Sequence, residues 1–313
     1  MSVGLVVQVV VSGLAAGAVY GLVAIGFALV YRLTSVLHFA YGSLVGGSVF
    51  LTLVVAAGTA PVTASNVGAA RFVVAAVVAL VVGALAGGAM YLVALRPFLR
   101  RGSMLGWIGA SVAVTLTIQG VLSSAFPRES YVLPDPLPFS HWRPISLGGG
   151  ATLPPRTLWV LGAGLAIAAA AGYLLTRTRF GVAVSAVTSE PLGAQIVGLP
   201  VDRLVTIAFA LTGVLAVAAG LVGTSGGAVT TETGLSLGLK AIAAALLAGL
   251  GSPGRVFRAA LLLGVFESAV VGLHVPGLPR LALGPAWRDV APLLLALAVI
   301  AFRALGAMRE PVE

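Results

Sequence analysis

Cysteine is absent from this chain of 313 residues, so the chain forms no disulfide and has no thiolate to serve as nucleophile or metal ligand. Without cysteine, the sequence does not indicate whether the protein works in an oxidising or a reducing compartment. Charged residues are also scarce, at 9% of the sequence, whereas 59% of residues are hydrophobic and the mean hydropathy is +1.10. Soluble domains average about 25% charged residues. This composition therefore excludes an ordinary soluble fold.

Lysine occurs once, at Lys240, among 18 basic residues. A phosphate-binding loop needs lysine followed by serine or threonine after its glycines, and alanine follows Lys240. The chain therefore cannot bind ATP by that route. The histidines His38, His141 and His274 are far apart, and neither a His-Glu-x-x-His nor a Gly-x-Ser-x-Gly motif is present. We predict no catalytic residue, no metal site and no cofactor on this chain, which is not expected to be an enzyme.

Long apolar runs recur along the whole sequence. The length of each is close to the roughly 20 residues that a membrane-spanning helix needs. We predict an all-α polytopic membrane protein, a bundle of about eight to ten transmembrane helices in one domain over 1–313. The second and seventh runs are short or interrupted by glycine, so either could be re-entrant. The predicted segments are 5–31, 36–57, 70–95, 104–125, 157–176, 204–224, 235–250, 257–275 and 288–304.

The arginines are distributed unevenly between alternate loops. If the 177–203 loop is cytoplasmic, eleven arginines fall on the inner side and six on the outer side. Cytoplasmic loops carry the excess of basic residues in membrane proteins. We therefore predict the N-terminus outside and the C-terminus in the cytoplasm. The net charge of +9 is explained by these loops, and we expect membrane lipid and no nucleic acid as a partner.

Glycines recur four residues apart in several segments, and residues at that spacing share one face of a helix. Small residues on one face let helix backbones approach closely in lipid. We interpret these stripes chiefly as packing surfaces, which also permit sliding between helices. The pairs are Gly13 and Gly17, Gly17 and Gly21, Gly42 and Gly46, Gly83 and Gly87, and Gly234 and Gly238.

The loop at 127–156 is the longest on the predicted outer side. It holds seven prolines and a triple glycine, which disfavour a helix, and it is too polar to span. It is either a rigid surface connection or a docking face for an external partner. Tyr131 and Trp142 are the candidate contacts for such a partner.

The polar loop at 177–203 contains a short helix signature. Serine, glutamate and proline at 189–191 favour a helix start, and Gly198 with Pro200 favours its end. The predicted helix covers about 190–197. Two turns are too few to be stable alone in water. The segment therefore packs on its own bundle, lies at the lipid interface, or fills a groove in a cytoplasmic partner.

Leu192 and Ile196 lie four positions apart on one face of this predicted helix, and Leu199 continues the stripe beyond its end. Glu190 and Gln195 are the polar residues beside that face. We interpret the stripe as the contact face of the segment.

Four stretches of the sequence carry a family resemblance, and the last of them is Trp-Arg-Asp at 287–289 followed by an apolar span to Arg303. The 177–203 loop has, in order, Thr178, Gly181, Ala186, Glu190, Ala194, Gly198 and Asp202. A glycine-rich block at 13–47 includes the run His-Phe-Ala-Tyr-Gly at 38–42, and a later block at 238–267 includes Gly-Leu-Gly-Ser-Pro-Gly at 249–254. The chain resembles the H-type permease subunit of the branched-chain amino acid family of ATP-binding-cassette (ABC) importers.

The resemblance implies a permease subunit in the bacterial cytoplasmic (inner) membrane, paired with a second homologous permease subunit. Two separate cytoplasmic subunits would bind ATP and Mg²⁺, and an external substrate-binding protein would deliver a small molecule. The substrate implied is a branched-chain or related amino acid; the alternative is urea or a short-chain amide. An ion-coupled carrier or channel is more remote, because such proteins usually place charges in several spans, and here only Lys240 and Glu267 are clearly intramembrane.

Two sets of residues are candidates for roles in such a transporter. The candidates for coupling to the ATPase are Glu190, Leu192, Gln195, Ile196, Gly198 and Leu199. The candidates for the translocation path are His38, Tyr41, Thr115, Thr117, Gln119 and Glu267. For the second set, gating, packing or hydrogen bonding between helices is the alternative, and Glu267 has a structural ion pair as an equal alternative.

Overall fold

The computed structural model describes residues 3–57, 67–133, 142–272 and 287–307. Within these ranges the chain is a bundle of helices with two very short antiparallel sheets. Apolar sequences this long form helices in a membrane because a helix satisfies all its backbone hydrogen bonds internally. The helices are α1 (Val3–Thr34), α2 (Ala40–Ala57), α3 (Ala69–Ala89), α4 (Arg96–Arg100), α5 (Met104–Ala125), α6 (Pro155–Arg177), α7 (Arg179–Ser189), α8 (Pro191–Ile196), α9 (Val201–Thr224), α10 (Thr233–Leu247), α11 (Pro253–Gly272) and α12 (Val290–Ala307).

In its described part, each of the nine predicted segments contains a helix, which confirms the all-α polytopic fold. Six stretches of the described chain are long and apolar enough to cross a membrane: α1, α2, the continuous stretch from α3 to α4, α5, α6 and α9. A π-helical turn at Met90–Leu95 joins α3 to α4 within that stretch. Of the other three, α10 and the apolar part of α12 are shorter, and α11 contains two arginines and a glutamate.

The chain alternates between two ends of the bundle. At one end β1 (Tyr131–Val132) pairs with β4 (Ala228–Val229), and the hairpin of β2 (Ile145–Gly148) and β3 (Ala151–Leu153) lies beside the first turn of α1. The opposite end contains the link from α4 to α5, together with α7 and α8. This arrangement matches the alternation assumed from the arginines; which end faces the cytoplasm stays a prediction.

Helix α1 forms the axis of the bundle and contacts α6, α9, α10 and α11. Its contact with α11 depends on glycine. A Cβ atom at Gly17 would lie 2.6 Å from the carbonyl oxygen of Ala260, and one at Gly264 would lie 2.3 Å from that of Gly13. Since real Cβ contacts are never that short, glycine is required for the observed approach. The glycine stripes read from the sequence are therefore packing surfaces.

Two more pairs of helices meet through glycine in the same way. Gly234 of α10 packs against the backbone of Gly46 in α2, where an added Cβ would lie 2.3 Å from the Gly46 nitrogen. Gly213 of α9 packs on Gly83 of α3, where an added Cβ would lie 2.0 Å from the Gly83 oxygen. These backbone contacts hold α2 against α10 and α3 against α9.

Candidate functional site

The 177–203 loop contains two helices, where the sequence predicted one. The unpredicted helix, α7, starts where the Thr178 hydroxyl accepts a hydrogen bond from the Gly181 N–H. It is held by burial of Val184 and Val187 against the bundle. The predicted helix appears as α8, Pro191–Ile196, and its N-cap is Glu190, one residue later than expected.

Helix α8 ends as the sequence predicts. Gly198 adopts a left-handed backbone conformation with φ of +83°, and the N–H of Leu199 donates to the carbonyl oxygen of Ala194 at 2.9 Å. Glycine adopts this conformation at little cost, which is why helices commonly terminate there. The chain then turns into α9.

Helix α8 presents apolar side chains to its surroundings. Leu192, Ile196 and Val197 are 70%, 86% and 77% exposed, and we call these three residues the α8 surface. Ala194 is buried against the bundle. Glu190 and Gln195 are exposed beside the α8 surface. Exposed apolar clusters of this kind mark interaction sites.

Leu199 does not belong to the α8 surface. It is partly buried and packs with the cluster formed by Val187, Ala194 and Leu204. The turn at Gly198 redirects the chain, so Leu199 does not continue the face formed by Leu192 and Ile196. Leu199 therefore fixes the loop to its own bundle.

Asp202 anchors the exit of the same loop. Its carboxylate accepts hydrogen bonds from Arg96 at 2.6 Å, from Arg100 at 2.5 Å and from the Tyr91 hydroxyl at 3.3 Å. Asp202 is in the first turn of α9, and its three partners lie on the π-helical turn and on α4. The contacts join the 177–203 loop to the end of the α3–α4 stretch.

A second polar cluster surrounds Glu267, in the interior of the bundle. Its carboxylate accepts hydrogen bonds from the Tyr20 hydroxyl at 2.8 Å, from Lys240 Nζ at 3.0 Å and from Arg288 Nε at 2.9 Å. The side chains of Lys240 and Glu267 are only 5% and 3% exposed. These contacts bring together α1, α10, α11 and the residue pair that precedes α12.

Lys240 also pairs with Asp289, whose Oδ1 lies 2.8 Å from Lys240 Nζ and accepts a hydrogen bond from the Ser236 hydroxyl at 3.2 Å. Asp289 and Arg288 are 66% and 62% exposed at the side chain. Each exposed charge is thus held by a buried charge of opposite sign.

This charged group lies beside a cavity of about 600 Å³, which we call the charged cavity. It lies among α1, the first turns of α6, the segment before α10, and α10 itself. The volume falls within the range of about 300–1,000 Å³ that small-molecule sites occupy. Its polar lining includes Ser12, Arg156, Glu232, Ser236, Lys240 and Asp289.

The predicted path residues on α2 and in the turn before it lie elsewhere. His38 and Tyr41 are buried among aromatic rings: His38 stacks on Phe209 at 5.3 Å between ring centroids, and Tyr41 meets Phe27 edge-on at 4.9 Å. Neither the His38 ring nitrogens nor the Tyr41 hydroxyl hydrogen-bonds to any of the residues that the structure describes. The pair packs inside the bundle and does not line the charged cavity.

The predicted residues on α5 have separate surroundings. Thr115 lines a small apolar pocket between α2, α5 and α10, and Thr117 is exposed with its hydroxyl bonded to the carbonyl oxygen of Ala113. Gln119 donates to the carbonyl oxygen of Thr231 at 3.1 Å. Among the predicted path residues, Glu267 alone lies beside the charged cavity in the described chain.

Four residues of the charged cluster were missing from the predicted set: Tyr20, Lys240, Arg288 and Asp289. The sequence did carry a signal for Lys240, because a lone lysine in an apolar helix requires an acidic partner and Glu267 is the acidic residue of the next helix. The pair Arg288 and Asp289 belongs to the family resemblance through the run Trp-Arg-Asp at 287–289, but it stands at the start of a segment, where charges are ordinary, and no site role was predicted for it.

Comparison with known proteins agrees with this architecture. Residues 9–300 match the family described as the permease component of the branched-chain amino acid transport system. The permease protein BraD of the high-affinity branched-chain amino acid transport system of Pseudomonas aeruginosa is 25% identical over 308 residues, 97% of this chain and 96% of BraD. The corresponding protein LivH of Escherichia coli is 25% identical over 311 residues, with the same coverage.

A third relative matches over a shorter stretch. LsrC of Klebsiella pneumoniae, a permease protein of an autoinducer 2 import system, is 38% identical over 124 residues, which is 39% of this chain and 35% of LsrC. The family match spans most of the chain, and the structure supplies six helices able to cross a membrane. The protein is a multi-pass protein of the bacterial inner membrane, and it belongs to the family of permease subunits of branched-chain amino acid ABC importers.

Proposed function

We propose that this chain is one permease half of an importer that moves branched-chain or related amino acids inward, driven by ATP hydrolysis on separate subunits. The observation that carries the proposal is the α8 surface, an apolar patch at the end of the bundle where arginine is concentrated. The chain has no phosphate-binding loop of its own, so the energy for transport comes from a partner.

The partner at the α8 surface is an ATPase subunit, and Leu192 and Ile196 enter a groove on it. A helix of six residues is too short to persist alone in water, so its stability comes from packing on both sides. Ala194 and Leu199 supply the contact on the bundle side. The apolar face that remains fits helix-in-groove recognition.

Movement of α8 reaches the spanning helices through α7 and α9. The Asp202 cluster ties the start of α9 to α4, so a displaced 177–203 loop pulls on both the α3–α4 stretch and α9. Packed helices shift as rigid bodies between discrete arrangements. We propose that ATP binding rocks these helices and so opens the substrate path alternately to the two sides of the membrane. The path forms between this chain and a second homologous permease subunit. An external binding protein delivers the substrate to it.

The assignment of an amino acid as substrate follows the relatives that align along the whole chain, since BraD and LivH are both named for branched-chain amino acids. Autoinducer 2 is the second candidate, because LsrC is more similar to this chain within the shorter stretch that it matches. Urea and short-chain amides are the remaining alternative.

The docking step is tested with Ile196→Asp, which puts a charge into the proposed groove contact. We expect this variant to lose co-purification of the ATPase subunits while keeping its own monodisperse elution profile. Ile145→Asp is the matched control, because Ile145 is also an exposed isoleucine but lies on the hairpin at the other end of the bundle. Equal recovery of the ATPase with both variants would refute docking at α8.

The transport step is tested by uptake of radiolabelled leucine into proteoliposomes that hold the whole importer, with its binding protein outside and ATP inside. We expect uptake that stops when ATP is withheld. Uptake that persists without ATP and follows an ion gradient would indicate a carrier. Uptake of autoinducer 2 or urea in place of leucine would change the substrate and leave the permease assignment intact.

A further inference from the structure

The charged cavity contains two half-exposed charges of opposite sign at neighbouring positions, Arg288 and Asp289. Each is held by a buried partner: Arg288 by Glu267 at 2.9 Å, and Asp289 by Lys240 at 2.8 Å. The buried pair therefore fixes the position of both exposed charges.

Each exposed charge retains hydrogen-bonding capacity. The contacts of Asp289 with Lys240 and Ser236 both use Oδ1, and the contact of Arg288 with Glu267 uses Nε. Within the described part of the chain, Asp289 Oδ2 and the terminal guanidinium nitrogens of Arg288 have no hydrogen-bonded partner. A carboxylate can accept from an ammonium group at its second oxygen, and a guanidinium can bind a second carboxylate through its terminal nitrogens.

We propose that the charged cavity is a binding site for a small zwitterion, in which Asp289 binds the ammonium group and Arg288 the carboxylate of an α-amino acid. The site deepens the proposed function, on which it rests, by giving the permease itself a contact with the main-chain groups of the substrate.

The surroundings of the two charges support this class of ligand. A site that binds both ends of a zwitterion needs both signs of charge, held in place before the ligand arrives. The charged cavity is lined by Arg156, Lys240, Arg288, Glu232 and Asp289, and Glu267 lies beneath it, so cations and anions balance. A singly charged ligand would use the free hydrogen-bonding atoms of only one of the two exposed charges, whereas a zwitterion uses both.

The absence of cysteine makes the site accessible to a direct test. Ser12→Cys introduces the sole thiol of the chain on the wall of the charged cavity, away from the four paired charges. The full-length permease, in nanodiscs and without binding protein, is treated with a water-soluble maleimide with and without leucine. We expect leucine at about ten times its Kd to slow labelling about tenfold, by mass action. Ser124→Cys, exposed on α5 outside the cavity, is the control and should label at one rate throughout.

Analogues and charge variants decide between recognition and a purely structural role. Isocaproate lacks the ammonium group of leucine and isoamylamine lacks its carboxylate, so neither should protect at the same concentration. Asp289→Asn and Arg288→Gln, each combined with Ser12→Cys, should weaken leucine protection about tenfold to hundredfold, the cost of one charge-assisted hydrogen bond. Glu129→Gln and Arg71→Gln remove the same charges from exposed positions outside the cavity and should leave protection unchanged.

Every outcome of this test bears on the site. The basal labelling rate and elution profile of each charge variant show whether it is folded, and Asp289→Glu, which keeps the carboxylate, should retain protection. The proposal is overturned if isoamylamine protects as well as leucine does. It is also overturned if leucine protection is unchanged in folded Asp289→Asn and Arg288→Gln. If the whole importer transports leucine and leucine fails to protect the cavity, the site is refuted and the proposed function stands. Protection without any ATP-driven uptake would refute the proposed function alone.

Discussion

Glu267 shows how a charge is kept inside an apolar bundle. Its carboxylate accepts three hydrogen bonds, from Tyr20, Lys240 and Arg288, so the negative charge is matched by donors and counter-ions. The sequence indicated that Glu267 and Lys240 lie within the membrane but left the role of Glu267 open. It could not supply the geometry, because the partners of Glu267 come from α1, from α10 and from the residues just before α12, and they meet only after the bundle has packed.

Removing one member of the buried pair should cost more than removing both. We expect Glu267→Leu to destabilise the protein by about 3 kcal/mol, the lower end for a broken buried pair, because Asp289 still faces Lys240. The double variant Lys240→Met, Glu267→Leu replaces the pair by apolar side chains of similar size, and such replacements are often neutral. Thermal unfolding of both single variants and the double variant in detergent measures this. Losses that simply add in the double variant would show that the two charges do not stabilise each other.

At the scale of the helices, the sequence predicted which helices exist better than where each one begins and ends. Segment 104–125 coincides with α5, because Ser103 caps its start and Pro127, just after its end, disfavours continuation of the helix. Helix α7 was missed, although Thr178 and Gly181 formed its cap, because its valines are poor helix formers in isolation. Burial of Val184 and Val187 overrides that preference, and burial of this kind cannot be read from one sequence.

The glycine contact between α1 and α11 predicts a difference between two substitutions. Gly264→Leu forces a side chain into the backbone of Gly13 and Gly17. We therefore expect the free energy of unfolding to fall by about 1–3 kcal/mol or more, as for overpacked cores. Gly120→Leu is the control, because an added Cβ there meets no atom within 4 Å. Melting temperature and the yield of monodisperse protein in detergent measure both. A Gly264 variant as stable as the Gly120 variant would show that α1 and α11 can separate without penalty.

At the scale of the whole molecule, the two ends of the bundle differ in what they present. One end contains the α8 surface and the arginine cluster at Asp202; the other contains the short sheets and the charged cavity. The arginine count predicts that the first end is cytoplasmic. The structure supports the alternation of loops on which that count depends, because the paired loops meet at the same end.

Orientation is measurable with single thiols, since the chain has none of its own. We expect Ser146→Cys, exposed on β2, to react with a membrane-impermeant maleimide in spheroplasts. Ser189→Cys, exposed at the end of α7, should react only after the membrane has been permeabilised, because cytoplasmic loops carry the arginine excess. The reverse pattern would invert the topology and put the α8 surface outside the cell, where no ATPase could dock.

The central position of α1 has a consequence for biosynthesis. Tyr20 and Glu267 bond across 247 positions of sequence, so the helix made first is covered by a helix made near the end. At about 5–20 residues per second, α11 leaves the ribosome roughly 10–50 s after α1. Throughout that time the glycine face of α1 lacks the helix that encloses it in the finished protein. The bundle is therefore completed late. If the ribosome stalls before α11 is made, α1 is in the membrane without the helix that covers its glycine face.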